Sequence, residues 1–143
     1  MATYSSSDYT NKTGVAGSSH RNAALHFFWS VSCTAAPSTS DTINFGYVPA
    51  GFRCTLAVLE STDMDTNGSP SLTINVGDSG DADRIFAAST VGQAGTLSSA
   101  LAVTGAGYQY PSKTLITGVA NANAATGAAG TLYLTLIGFI DTL

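Results

Sequence analysis

The segment "ALHFFWSVSC", residues 24–33, alternates without a fault. Leu25, Phe27, Trp29, Val31 and Cys33 take one face, and His26, Phe28, Ser30 and Ser32 the other. A period of two is the signature of a strand. "TINFGYV" repeats it with Ile43, Phe45 and Tyr47, and "VPAG", residues 48–51, is a turn. "FRCTLAVLE" predicts a strand with Cys54, Leu56 and Val58 on one face and Arg53, Thr55, Ala57 and Leu59 on the other. "SLTINV" sets Leu72, Ile74 and Val76 against Ser71, Thr73 and Asn75.

"DADRIFAAST" breaks the period. Asp81 suits an N-cap and Asp83 a first helical turn, so the pattern predicts one short helix from Ala82 to Ser89, ending near Gly92. Weaker strands follow at "SSALAVT", "GYQY" and "KTLITGVA", and "ANANAATGAAG" reads as a small-residue hairpin loop. The last strand, "TLYLTLIGFID", is apolar on both faces: Leu132, Leu134, Leu136 and Ile140 on one, Tyr133, Ile137 and Phe139 with Thr135 on the other. Such a strand is central, or its second face meets another subunit. Tyr133, Ile137 and Phe139 are therefore the expected oligomer interface.

About eight strands separated by Gly, Pro and Asn turns make an all-β, antiparallel sandwich of jelly-roll type. It is expected to occupy residues 22–143 as one domain. Residues 1–21 are polar and aperiodic and read as an extended N-terminal arm. Tyr4 and Tyr9 interrupt that polarity and are its candidate partner-binding anchors.

Composition changes the picture in one respect. Of 143 residues only 10% are charged, against a usual share of about a quarter. Gly, Ala, Ser and Thr fill the surface, which suits close contact with other subunits. The net charge is −4, and Lys12, Arg21, Arg53, Arg84 and Lys113 do not cluster. Nucleic acid and anionic membranes, which need a basic patch, are excluded as partners. Cys33 and Cys54 fall inside strands and read as buried thiols. The N-terminus has no apolar run of a signal peptide, and the longest apolar stretch is too short to span a bilayer. A soluble protein made in a reducing cytoplasm is expected, with the sequons at Asn11 and Asn67 unused.

Candidate chemistry is concentrated in "TDMDTNGSPSLTINVGDSGDAD", residues 62–83, which holds five of the nine acidic residues. Its opening resembles a calcium loop starting at Asp63. The twelfth position of such a loop must be a bidentate Glu, and here it is Ile74, inside a strand. A looser site of Asp63, Asp65 and Asp78 is the remaining metal candidate. The simpler reading gives these carboxylates to turns: Asn67-Gly68 and Gly77-Asp78-Ser79-Gly80 are turn sequences, and Asp63 and Asp65 can accept loop N–H groups. No metal and no cofactor are expected. His20 and His26 lack zinc spacing, no nucleophile motif occurs, and Glu60 has only turn-borne acids near it in sequence, so no enzyme is expected. "GYQYP", residues 107–111, could offer Tyr108 and Tyr110 to a sugar ring, although alternating Tyr in a strand is more often an ordinary half-buried pair.

Two stretches, "LAVLESTDMDTNGSPSLTINVGDSGDADRIFAASTVGQAG" and "GYQYPSKTLITGVANANAATGAAGTLYLTLIGFID", resemble small virion proteins of tailed bacteriophages. Together they cover about half of the chain. The resemblance is to capsid decoration proteins, also called cement or head-stabilisation proteins. It implies a homotrimer, less commonly a dimer, made in the host cytoplasm. The trimer would bind the major capsid protein on the capsid exterior and reinforce contacts between its subunits. The rival class is a carbohydrate-binding jelly-roll module associated with receptor binding or a tail fibre.

Overall fold

The computed structural model describes residues 1–6 and 24–141. Tyr9, His20 and the expected boundary at residues 21–22 lie outside the described residues. Nine strands are described: β1 (Thr3–Ser5), β2 (Ala24–Cys33), β3 (Thr42–Val48), β4 (Phe52–Ser61), β5 (Thr73–Asp78), β6 (Asp81–Ser89), β7 (Leu97–Ser98), β8 (Thr114–Ala122) and β9 (Gly130–Ile140). They form two sheets, ordered β1-β3-β8-β5-β6 and β2-β9-β4-β7. Strands β2 to β9 supply the eight of a jelly roll, with β2/β3, β4/β5 and β8/β9 each crossing between sheets. The all-β sandwich expected from the sequence is the fold.

The core lies between the sheets. Trp29, Val31 and Cys33 of β2 meet Ile43, Phe45 and Val48 of β3, with Leu132, Leu134 and Leu136 of β9 in the same buried cluster. Each such large apolar side chain contributes about 1.5–3 kcal/mol by leaving water. Trp29 needs space as well as partners: a Cβ on Gly46 would collide with its indole ring. Both cysteines are buried and unpaired, and burial pushes each thiol up to about 11.

Several local expectations are corrected. Residues 81–89 are a strand, not a helix. Ile85 and Phe86 are adjacent and both buried, and the β5–β6 register shifts twice, so no period of two survives in the sequence. The described helical turn in this region is a three-residue 3₁₀ turn, Val91–Gln93. A bulge between Cys54 and Leu56 turns the second half of β4 over: Ala57 and Leu59 enter the core, and Leu56 faces out. Another bulge, between Asn44 and Gly46, puts Val48 in the core instead of Tyr47. "SSALAVT" is mostly irregular, with only Ser98 in a strand, and "GYQY" supplies a single bridge, Gln109 to Arg53. The Ala/Gly segment is not a hairpin loop, because it joins strands of different sheets.

The first residues are also placed differently. Thr3–Ser5 lie parallel to Thr42–Asn44 as an edge strand of the larger sheet. Ser6 donates its N–H to the Asn44 carbonyl at 2.8 Å and its hydroxyl to the Phe45 carbonyl. Tyr4 packs against the protein's own core, so its ring is half-buried inside the fold rather than free on an arm.

Candidate interaction surface

The acidic segment is occupied by its own backbone. Asp65 is 1% exposed. Its Oδ2 accepts N–H bonds from Ser71 (2.7 Å), Leu72 (3.0 Å) and Ala125 (3.0 Å), and its Oδ1 from Thr126 (2.9 Å). Burial alone would raise this carboxyl, but the four backbone donors outweigh it and hold Asp65 far below the usual carboxylate range. The donors come from two loops about 60 residues apart, so one side chain ties the β4–β5 connection to the β8–β9 connection. Asp63 accepts the Asp65 N–H at 3.1 Å. Asp78 accepts N–H bonds from Gly80 (2.8 Å) and Asp81 (3.2 Å), and Arg84 Nε binds it at 2.6 Å. Among the described residues no three His, Cys, Asp or Glu side chains gather as a metal set. The three candidate ligands thus have backbone or arginine partners, and Asp81 opens a strand instead of capping a helix.

The tyrosine pair is similarly engaged. The Arg84 guanidinium lies over the Tyr108 ring, 3.7 Å from its centroid. Tyr110 is 2% exposed, meets Tyr108 edge-on at 5.1 Å, and stacks near Phe52. A sugar needs an open ring face, and Tyr110 has none while Arg84 covers Tyr108.

The outer face of the smaller sheet is the opposite case. On β9, Tyr133, Thr135, Ile137 and Phe139 alternate with the buried leucines and point away from the core. β2 adds Phe28, 55% exposed and stacked on Tyr133 at 6.0 Å. β4 adds Leu56, 44% exposed, opposite Ile137, and β7 adds Leu97, 63% exposed. At one end an open hollow of about 350 Å³ is lined by Ala24, Thr55, Ile137, Gly138 and Phe139. The charged residues of these four strands are Arg53, paired with Asp141 at 2.8 Å, and Glu60 at the far end. The centre of the face is uncharged.

Tyr133, Ile137 and Phe139 are thus brought onto one surface, and Tyr4 is not part of it. Sequence reasoning did not select Phe28, Leu56 or Leu97. Phe28 was legible as an aromatic on the solvent side of a strand. Leu56 was hidden by the bulge, which no residue type in "RCTLA" announces.

The fold is a jelly roll whose acidic side chains serve its own turns and whose smaller sheet has an outer face uncharged at its centre. No family model and no curated protein matches the chain. Solved structures do. A chain of the cyanophage Pam1 capsid asymmetric unit is 35% identical, with a TM-score of 0.76, over 92% of this chain and 96% of that one. A chain of the capsid of Ralstonia phage GP4 is 28% identical, with a TM-score of 0.85, over 99% of both. This protein belongs to the family of phage capsid-associated proteins that those chains represent, and its role is structural, in the virion.

Proposed function

We propose that this protein binds the outer surface of a phage capsid and stabilises contacts between major capsid subunits. It does so as a homotrimer whose copies meet through Tyr133, Ile137 and Phe139, and its task is mechanical rather than catalytic. The observation that carries the reading is the 35% identity with a capsid chain across nearly its whole length. The outer face supports it, because exposed, contiguous apolar side chains on a protein this poor in charge favour burial against another surface. Within residues 1–21, Tyr9 is proposed to add to the capsid contact, and residues 22–143 together with β1 are the structural domain.

The test mixes purified protein with empty expanded capsids of its phage. Saturable binding and a higher capsid disruption temperature are expected. Absence of either overturns the function. Light scattering on the free protein is expected to give a trimer mass, and Phe139→Asp is expected to give a monomer, because an unpaired buried carboxylate opposes the contact. A monomer at micromolar wild-type concentration overturns the trimer.

A further inference from the structure

Among the described residues the two sheets have four edges, and three are blunted. β1 is three residues long and β7 two. β6 carries Asp81, Asp83 and Arg84, pairs through register shifts, and has the Ile85 carbonyl covered by the Ala102 N–H. These are the devices by which natural sheets avoid adding strands. β2 has none of them. Its ten residues contain no Pro, Lys, Arg, Asp or Glu, and its pairing with β9 runs from Ala24↔Phe139 to Cys33↔Gly130 without a bulge.

The direction of its free groups follows from β9. The Thr131 carbonyl accepts the Thr62 N–H at 3.0 Å, and the Ile137 carbonyl accepts the Thr55 hydroxyl at 3.1 Å. Odd-numbered β9 residues therefore address β4, and even-numbered ones address β2. Leu25, Phe27, Trp29, Val31 and Cys33 oppose the even-numbered residues and hold the ladder. Ala24, His26, Phe28, Ser30 and Ser32 turn their N–H and C=O groups to the open edge. Among the described residues no backbone or side chain bonds to those groups.

We infer that the open edge of β2 is a strand-acceptor site, which takes an extended, uncharged segment of the major capsid subunit as a fifth strand of the smaller sheet. The inference rests on the capsid-binding reading above and names where on this chain the contact is made. An extended segment gains one backbone ladder along the edge, and alternate side chains would lie beside Phe28 on the outer face. The occupant carries no fixed charge toward β2 because β2 has no Lys, Arg, Asp or Glu to pair with, His26 being its one titratable side chain on that face. A second copy would pair with this edge by an isologous β2–β2 contact that buries no capsid segment, and the exchange experiment below separates the two occupants.

The experiment uses Ser30→Pro. Ser30 addresses its N–H to the edge, so proline removes one donor from the acceptor site without breaking the β9 ladder, and edge strands tolerate such a proline. Ser30→Ala is the control. Wild type and Ser30→Ala are expected to bind empty expanded capsids equally, and Ser30→Pro at least tenfold more weakly, with an unchanged oligomer mass. Amide hydrogen exchange on the wild type supplies an answer even if the proline variant misfolds. His26, Phe28, Ser30 and Ser32 amides are expected to exchange freely in the isolated protein and to become protected on the capsid. Undiminished binding by a folded Ser30→Pro, or no added protection on the capsid, overturns the acceptor site and leaves the capsid reading standing. Protection already present in the free protein assigns the edge to a second copy and also overturns it. Failure of the wild type to bind overturns the capsid reading, and the inference with it.

Discussion

The acidic segment and the outer face of the smaller sheet divide the molecule's polar and apolar work. In the segment, Asp65 and Asp78 find every partner they need within the chain. On the face, Phe28, Leu56 and Leu97 remain 44–63% exposed. A sequence search for function is drawn to the carboxylates, because they look like chemistry. The structure assigns them to holding loops together, and leaves the plain aliphatic and aromatic residues looking outward. Charges satisfied internally do little for a partner, whereas apolar area left in water is a standing drive toward contact.

The comparison breaks first at Asp65. Asp65→Asn replaces one acceptor oxygen by an amide and leaves buried N–H groups of the two loops short of partners, each of which is costly to leave unmade. The expected result is a fall in melting temperature of more than about 12 °C, checked by calorimetry at pH 7. The pH dependence has a fixed sign. A carboxyl whose folded pKa lies below its unfolded value of about 4 contributes its stability in full above that value and loses it as the pH falls toward the folded pKa. Wild type is therefore expected to lose melting temperature between about pH 4 and pH 2, and Asp65→Asn to lose less over the same window. Equal slopes would show that Asp65 is not the group concerned.

Arg84 comes next. Its Nε holds Asp78, which is 6% exposed, and its guanidinium covers Tyr108. Arg84→Leu leaves a buried carboxylate with backbone donors alone, at a cost of about 3 kcal/mol. That corresponds to a fall of about 6–12 °C in a domain of this size. A change under about 2 °C would mean that the ion pair is an ornament of the turn and not part of what holds it.

The outer face is expected to respond in the other coordinate. Phe28→Lys, measured at a dilution where wild type and variant are both monomeric, is expected to melt within about 2 °C of wild type, since exposed substitutions rarely exceed about 0.5 kcal/mol. At high concentration the variant is expected to show a lower mass by light scattering. A large loss of monomer stability with full retention of mass would reverse the division of labour drawn above.

What was legible in the sequence follows the same division. β2 and β9 keep the period of two over ten and eleven residues, and their faces were readable residue by residue. Where the period fails, reading fails with it. The bulge at Cys54–Leu56 moved Leu56 and Val58 to the wrong face, and the adjacent buried pair Ile85–Phe86 gave β6 a helical look. A bulge sets two residues against one on the partner strand, and no residue type between Cys54 and Leu56 marks it. β1 was invisible for a related reason: a single tyrosine between Thr3 and Ser5 shows no period, and the strand is held by β3 about 40 positions away. That Asp65 accepts loop N–H groups was legible from its turn. That two of its donors are Ala125 and Thr126 was not, since nothing in either segment points to the other.

The smallest expected effect concerns metal. Asp63, Asp65 and Asp78 are the residues from which a calcium site would be built, and a cation needs six or more oxygen ligands with free lone pairs. Asp65 already accepts four N–H bonds, and those donors present positive hydrogens to the same oxygens a cation would require. Asp78 is neutralised by Arg84, whose guanidinium would repel a divalent ion at close range. Binding a cation would therefore mean breaking bonds that hold two loops and a turn. Adding EDTA is expected to shift the melting temperature by less than about 1 °C, and adding millimolar calcium to do no more. A fall of more than about 8 °C with EDTA, roughly 2–4 kcal/mol in a domain of this size, restored by calcium, would show that the acidic segment does its work through a metal. The contrast between a self-satisfied segment and an outward-looking face would then be lost.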